Sequence, residues 1–162
     1  MTATWTANHT WAVGEVATAA NFNIYLRDNL DWLKTPTAQK VTTGFINSTS
    51  ATYVDVTNMT TTVTTNGGGV DVLIRCTLGQ SGVATNVLQL MVDGVSECIL
   101  GTWVSPAGAS YIPVSFVHHI GAMSAGSHTI KVQVKTNSGS ILVVQTGTAV
   151  GDSLIYIREG GA

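Results

Sequence analysis

The chain has 162 residues, of which 44% are hydrophobic and 10% are charged, and its formal net charge is −2. Soluble domains carry about 25% charged residues, so charge is scarce here while the apolar fraction is ordinary. This composition argues against disorder, because disordered chains combine low hydrophobicity with high net charge. It also argues against a nucleic-acid partner, since 7 Lys and Arg against 9 Asp and Glu leave no basic surface to contact phosphates.

The length predicts one domain with a hydrophobic core and a short appendage. The N-terminus has no basic segment followed by an apolar run, so it does not read as a secretory signal. Every apolar stretch is interrupted well before about 18 residues. We therefore expect no membrane span.

One helix is predicted, over residues 18–34. Thr18 is suited to cap its N-terminus, and Pro36 follows its end. Apolar residues recur at spacings of four, four and three on the face opposite to the charged side chains, and they are Phe22, Leu26, Leu30 and Leu33. Trp5 and Trp11 lie in the preceding arm, and we expect them to anchor it, because exposed tryptophans on a free arm would promote aggregation.

From Val41 onward the sequence changes to short runs rich in Val, Thr and Ile, separated by turn residues. Positions 70–78 alternate between apolar and mostly polar residues, as in a strand with one buried face, and Leu73 is the exception on the outer face. Asp93-Gly94 is the clearest hairpin signal, because both residues tolerate the positive φ of a type I′ turn. About nine or ten short strands without an intervening helix predict an antiparallel sandwich or barrel.

The last predicted strand, over 153–157, is apolar on both faces. Leu154 and Tyr156 project to one side, and Ile155 and Ile157 project to the other. An edge strand this apolar would invite aggregation, so we expect it to lie centrally in a sheet.

Candidate thiol and metal sites are few. Cys76 and Cys98 are too few for a disulfide scaffold and lack the spacing of a zinc site, so buried free thiols are the favoured interpretation and a single bridge is the alternative. His118 and His119 are adjacent, so on a strand they face opposite sides and only one can join His128 at a metal. We expect no metal site and no cofactor.

Motifs of catalysis are missing from the sequence. It contains no GxSxG, HExxH or P-loop pattern and no GxGxxG after a strand. It also lacks the clustered carboxylates that glycoside hydrolysis needs. The expectation is a protein that is not an enzyme and has no catalytic residues.

Aromatic residues in or beside predicted loops could contact a glycan by stacking on the face of a sugar ring. These residues are Tyr53, Trp103 and Tyr111. Core filling or a subunit interface is the alternative interpretation, because aromatic residues are also enriched at interfaces.

The arm and helix resemble the N-terminal segment of many small structural proteins of tailed bacteriophages. The likeness is carried by Trp5-Thr6, Trp11, Gly14-Glu15, Thr18-Ala19-Ala20, Asn23 and Arg27-Asp28-Asn29-Leu30. In those proteins the segment precedes variable domains of tail-fibre or other virion-surface type. The resemblance implies a location on the virion surface after assembly in the host cytoplasm. It also implies attachment through Trp5, Trp11, Phe22, Leu26, Leu30 and Leu33.

The β-rich part is similar to the trimeric jelly rolls of the C1q and tumour-necrosis-factor class. The likeness rests on residues 78–94 with their Asp-Gly turn, on 124–132 and on the last strand. It implies a mainly β protein with a jelly-roll sandwich over 41–162, preceded by an extended arm and one attachment helix over 1–40. It further implies a homotrimer, with Leu154 and Tyr156 among the contacts.

The leading hypothesis is therefore a structural protein of tail-fibre or tail-tip type. Its expected partners are copies of itself, other virion proteins and a host surface glycan. A capsid decoration protein is the alternative on the same particle, and a carbohydrate-binding module is the alternative from another class. Because subunit interfaces are depleted in charge, residues 98–130, which contain no Asp, Glu, Lys or Arg, predict a covered surface.

Overall fold

The computed structural model describes residues 10, 12–16, 18–28, 38–42, 44–105, 110–137, 141–145 and 153–159. The chain divides into two compact units, Met1–Pro36 and Thr37–Ala162. Helical residues lie in the first unit, and the ten strands of the described residues lie in the second. No helix within these ranges is long and apolar enough to cross a membrane.

Local hydrogen bonds shape the chain that leads into the helix. Gly14 has a φ of 86° in a tight turn. The Glu15 N–H donates to the Ala12 carbonyl at 3.0 Å, and the Ala12 N–H donates to the Glu15 carboxylate at 3.0 Å. The Thr18 hydroxyl accepts from the Asn21 N–H at 3.2 Å, which confirms Thr18 as the N-cap.

The helix changes character after its first turn. α1 spans Ala19–Phe22 and continues as a π-helix over Asn23–Asp28. The prediction of an α-helix throughout is therefore wrong for the second segment, where hydrogen bonds run to the fifth residue and the turn is wider. Apolar spacing indicates a helix, but it does not show whether each N–H donates to the carbonyl four residues earlier, as in an α-helix, or five residues earlier, as in a π-helix. Residues 29–34 of the predicted helix lie outside the described residues.

The second unit is built of strands, as its sequence predicts. The strands are β1 (Ala38–Thr42), β2 (Gly44–Ser48), β3 (Val54–Asn66), β4 (Gly69–Gln80), β5 (Ala84–Val92), β6 (Val95–Ser105), β7 (Ser110–Ala122), β8 (Ala125–Thr136), β9 (Ile141–Gln145) and β10 (Ser153–Glu159). The first begins slightly before Val41. The sequence also predicts two separate runs over 53–57 and 59–65, both rich in Thr and Val, but they form a single strand, β3. The pairing of β3 with β8 is irregular between Asp55 and Thr60.

The first sheet has β4 at its centre. Strand β7 pairs with one edge of β4, while β10 and β9 pair with successive halves of the other edge. Strands β1 and β2 pair in turn with β10 and β9, and every pairing is antiparallel. The last strand therefore lies between β1 and β4, which confirms its predicted central position.

The second sheet has the order β3-β8-β5-β6. Across both sheets, the strands pair from the ends of the chain inward. Strand β1 pairs with β10, β2 with β9, β3 with β8, β4 with β7 and β5 with β6. This is the pairing of one long hairpin rolled into two facing sheets. The predicted jelly-roll β-sandwich is confirmed by this topology.

The core lies between the two sheets and follows the alternation of each strand. Completely buried members from both sheets are Val56, Met59, Val70, Val72, Ile74, Leu90, Ile130, Val134, Ile155 and Ile157. Leu73 is half-buried on the outer face, as its sequence position predicts. At the β5–β6 turn, Asp93 and Gly94 have φ values of 50° and 81°, which confirms the predicted hairpin.

A missing side chain lets the sandwich close between β6 and β7. A Cβ at Gly101 would lie 3.0 Å from Cε1 and 3.1 Å from Cζ of Phe116. Phe116 packs against the core from β7, so its ring occupies the space that Gly101 leaves on β6. Glycine within a strand marks such close approaches.

Candidate functional site

The predicted attachment residues of the first unit lie partly within the described ranges. Phe22 and Leu26 are 52% and 53% exposed, and Val13, Val16 and Ile24 are exposed as well. A short segment with this many exposed apolar side chains is typical of a binding surface. Trp5, Trp11, Leu30 and Leu33 lie outside the described residues.

An apolar row crosses the outer face of the first sheet. Tyr156 of β10 lies opposite Leu73 of β4, which in turn lies opposite Val117 of β7. Tyr156 and Leu73 are half-buried, and Val117 is 75% exposed. Leu154, the other contact predicted on the last strand, is half-buried two residues from Tyr156 on the same face.

Most exposed apolar side chains of the sandwich lie on two edge strands, β6 and β7. Of the seven large ones among the described residues of Thr37–Ala162, only Val83 lies elsewhere, and the six on these strands are Val95, Ile99, Val104, Tyr111, Ile112 and Val117. We call these six residues the β6–β7 surface. The sequence analysis singled out Tyr111 and missed the other five as individual residues, although the charge-free stretch 98–130 covers most of both strands.

The three predicted glycan contacts lie at one end of the sandwich. Tyr53 immediately precedes β3, Trp103 is near the end of β6, and Tyr111 is near the start of β7. We call this the loop end; β3, β5 and β7 begin there, and β4, β6 and β8 end there. Trp103 is half-buried against the core and Tyr111 is 53% exposed. The Lys135 ammonium lies 4.4 Å from the centre of the Tyr53 ring and covers one of its faces.

Buried amides underlie the same end. Gln80, the last residue of β4, is 4% exposed, and Asn86 near the start of β5 is 0% exposed. Among the described residues, no hydrogen-bond partner faces either amide atom of Gln80 or the Oδ1 of Asn86. The register places Asn86 in one row with Thr136 and Trp103. The sequence analysis missed these amides, because the burial of a polar residue at the end of a strand depends on which other parts of the chain pack over that end.

Three histidine–carboxylate pairs lie toward the opposite end of the sandwich. The atoms are 3.1 Å apart in His118–Glu97, 2.7 Å in His119–Asp71 and 2.7 Å in His128–Asp93. As the sequence predicts, neighbouring histidines of β7 face different sides and do not converge. The described part of the chain contains no group of three His, Cys, Asp or Glu that could hold a metal ion.

His128 has a hydrogen-bond acceptor at each ring nitrogen. Its Nδ1 is 2.7 Å from Asp93 Oδ2, and its Nε2 is 2.9 Å from the Ser124 carbonyl oxygen. Both contacts favour the doubly protonated ring and raise the pKa of His128, the Asp93 contact more strongly. The pKa of Asp93 is lowered, first by His128 and then by the Thr129 N–H, which donates to its Oδ1 at 2.7 Å.

The outer face of the second sheet carries a hydrogen-bonded polar ladder. Gln133 donates to Asp55 at 2.6 Å, Lys131 donates to Asp55 at 2.9 Å, and Gln89 donates to Gln133 at 2.7 Å. The hydrogen bonds from Gln133 and Lys131 lower the pKa of Asp55. This face is polar and internally paired, in contrast to the β6–β7 surface.

Both cysteines are free thiols, so the alternative of a single bridge is wrong. Cys76 is buried in β4, and burial raises its pKa to about 12. Cys98 is half-buried in β6. Neither thiol is an activated nucleophile, because such thiols have lowered pKa values.

Comparison with known proteins yields similarity of fold. No family model matches the chain, and no curated protein matches it. Among solved structures, it is similar to the Eiger TNF of S. frugiperda, with 14% identity, a TM-score of 0.42 and coverage of 78% of this chain and 94% of that one.

Two sugar-related structures are similar at the same level. The EclA C-terminal domain, described as a sugar-binding protein, has 9% identity, a TM-score of 0.40 and coverage of 72% of this chain and 79% of that one. The CBM36-1 domain of a multidomain xylanase from the hindgut metagenome of Trinervitermes trinervoides has 17% identity, a TM-score of 0.39 and coverage of 77% and 98%. These values describe strand arrangement and carry no functional argument.

Proposed function

We propose that this chain is a non-enzymatic structural protein on the surface of a tailed-bacteriophage particle. In this proposal, the β-domain self-associates and the N-terminal segment attaches it to the particle. The observation that carries the proposal is the concentration of exposed apolar side chains on β6 and β7, five of which lie in the charge-free stretch 98–130. The phage origin rests on the resemblance of residues 5–30 to N-terminal segments of tailed-phage proteins.

The β6–β7 surface needs a cover. Strand β6 has 11 residues and β7 has 13, and in the described residues each hydrogen-bonds to a neighbour on one edge only. Long apolar edges promote uncontrolled pairing unless charge, proline or another chain protects them. Pro113 removes one backbone hydrogen-bond donor from β7, but the three valines, two isoleucines and one tyrosine of the β6–β7 surface remain exposed. A second copy of the chain supplies a matched apolar cover.

The two apolar surfaces of the sandwich meet at β7. Val117 belongs both to the β6–β7 surface and to the row that includes Leu73 and Tyr156. A contact that joins the edge of one copy to the sheet face of the next is heterologous, and heterologous contacts close into rings when the rotation allows. The expected number of three copies rests on the resemblance to trimeric jelly rolls.

Attachment through the N-terminal segment explains its exposed apolar residues. Phe22 and Leu26 are half-exposed on consecutive turns, and Val13 and Val16 are more exposed still. Covering these side chains with a protein of the particle removes apolar area from water and stabilises the complex by about 25 cal/mol per Å². Tail and head locations both fit this attachment.

Incorporation into particles tests the proposal. A variant with Leu26→Asp and Leu30→Asp should fold and should be missing from purified particles, because charge replaces the apolar contacts. A charge-matched control with Thr62→Asp and Thr64→Asp alters exposed positions of β3 and should be incorporated normally. Unchanged incorporation of the leucine variant would refute the attachment role, and immunogold labelling of incorporated protein separates tail from head.

A further inference from the structure

We infer that strand β6 is protected against strand addition by two β-bulges and by the carboxylate of Glu97. A second copy of the chain then covers the β6–β7 surface by side-chain packing and does not extend the second sheet through backbone hydrogen bonds at β6. The protection does not depend on the proposed self-association. Its effect on the assembly, a closed oligomer in place of an open polymer, rests on that proposal.

The register between β5 and β6 is interrupted twice. Four consecutive residues of β5, 88–91, lie opposite six residues of β6, 96–101, and the two without a partner in this register are Glu97 and Leu100. A bulge bends its strand and increases the local twist, so the free edge of β6 is not a straight row of donors and acceptors. Bulges are one of the ways in which edge strands avoid pairing with another chain.

The Glu97 side chain extends from its bulge toward the opposite sheet. Its Oε1 lies 3.1 Å from Nε2 of His118 on β7, and the two side chains are 33% and 28% exposed. His118 lies opposite the buried Val72 in the register, so it faces the interior side of the first sheet. The carboxylate is therefore held between the edges of the two sheets, on the side of the sandwich where β6 and β7 lie.

Charge is otherwise missing from these edges. Glu97 is the single Asp, Glu, Lys or Arg residue of the ranges Val95–Ser105 and Ser110–Ala122, which are β6 and β7. A strand that paired with β6 would cover the carboxylate, and removal of an ionised group from water is costly unless it gains partners. Charged side chains that point inward at an edge strand prevent pairing in this way.

The apolar side chains beside Glu97 remain free for another kind of contact. Val95 and Ile99 are 70% and 52% exposed. A partner that packs against these side chains does not need the backbone groups of β6. The edge therefore admits side-chain packing and opposes backbone pairing.

Exclusion of backbone pairing decides whether association closes. Among the described strands, the second sheet has its free edges at β6 and β3. Pairing of β6 with β3 of the next copy would repeat the same contact, and heterologous contacts that do not close produce filaments. Protection of β6 removes this route and leaves the contact between apolar surfaces.

The test is the mass and the hydrogen exchange of the full chain in variants at position 97. Deletion of Glu97 removes the charge and one bulge together, because Ser96 and Cys98 already lie opposite consecutive residues of β5 and can keep these pairs. Glu97→Val removes only the charge. Both variants should give larger masses in light scattering than the native protein, and the deletion should have the larger effect. Exchange of the amides of 95–105 should become about tenfold slower, because amides of the free edge gain a hydrogen bond to the added strand.

Two further variants are controls. Glu97→Lys keeps the bulge and a charge at the edge. Asp71→Val removes a carboxylate that is also paired with a histidine, but it lies on β4, which has neighbours on both sides. Both controls should keep the mass of the native protein. Circular dichroism checks that each variant is folded, and Glu97→Val decides the test if the deletion variant does not fold.

The inference is overturned if the folded variants at Glu97 keep the native mass, or if exchange of 95–105 becomes faster, which indicates lost stability without an added strand. An equal increase in mass for Glu97→Lys or Asp71→Val overturns it as well. If only the deletion increases the mass, the role of the carboxylate is overturned and the bulge alone protects. A native protein with the mass of one chain would refute the proposed self-association, while the same comparisons would still decide the protection of β6.

Discussion

The approach of Phe116 to Gly101 gives a sharp prediction about how the sandwich closes on the β6–β7 side. Replacing Gly101 with Ala places a methyl carbon 3.0 Å from Cε1 and 3.1 Å from Cζ of the Phe116 ring, closer than carbon atoms normally pack. The ring is held by the core and cannot swing aside freely. Overpacking of this kind costs about 1–3 kcal/mol.

Two opposing contributions set the net effect of Gly101→Ala. The alanine restricts the unfolded chain, which stabilises the protein by about 0.4–1 kcal/mol when the backbone is unstrained. The free energy of unfolding should therefore fall by about 0.5–2 kcal/mol, or several degrees in Tm for a chain of this size. Gly121→Ala on β7 is the matched control, because no heavy atom lies within 4 Å of its Cβ position. This control should be neutral or stabilising.

A double-mutant cycle isolates the contact. Phe116→Leu shortens the side chain and makes room for the new methyl group, so the double variant should be more stable than the sum of the single losses by about 0.5–2 kcal/mol. The assay is urea unfolding followed by circular dichroism at one fixed protein concentration, because self-association couples to stability. Additivity of the two losses within about 0.3–0.5 kcal/mol would refute the packing argument.

Three further predictions concern polar and titratable groups. Gln80→Met should raise the free energy of unfolding by about 1–3 kcal/mol, because it removes a buried amide without partners, and a lower Tm would contradict this. Because the pKa of His128 is raised in the folded state, protonated His128 stabilises the fold fully below about pH 6.5, and this stabilisation is lost as the pH rises through the folded pKa. Because the pKa of Asp93 is lowered in the folded state, ionised Asp93 stabilises the fold above about pH 3.9, and this stabilisation is lost as the pH falls through the folded pKa. Urea titrations should therefore show a stability decrease above about pH 6.5 that His128→Gln lacks, and equal pH profiles would refute the pair. Maleimide at pH 8 should label Cys98 in the native protein and leave Cys76 unlabelled until urea is added, because burial raises the pKa of Cys76 to about 12.

The strands and turns of the second unit are predicted well, because alternation along a strand and the residues of a turn depend on neighbouring positions in the sequence. Alternation along 70–78 reports one buried face, and the Asp93-Gly94 turn requires positive φ values that the structure shows. The apolar character of the last strand on both faces predicts its central place correctly, since Ile155 and Ile157 are buried while Tyr156 lies on the outer face. The jelly-roll order came from the resemblance, and strand pairing by itself is a non-local property.

The surfaces were harder to predict from the sequence. The apolar residues of β6 and β7 do not show which strands pair with them, so the local sequence does not reveal that both strands are edges and that their outer residues remain exposed. The buried amide of Gln80 likewise depends on the crossing from one sheet to the other. The π-helical segment Asn23–Asp28 was missed because its six residues make fewer than two turns, too short a run for apolar spacing to distinguish the two helix types.

The mass of the full chain in solution tests the central claim, self-association through the β6–β7 surface, most directly. Multi-angle light scattering of the purified protein should give three times the chain mass of 16.9 kDa. A variant with Ile99→Asp and Val117→Asp should remain folded and give the mass of one chain, while Thr62→Asp with Thr64→Asp should keep the larger mass. A native protein with the mass of a single chain, or an oligomer unaffected by Ile99→Asp and Val117→Asp, would contradict the account.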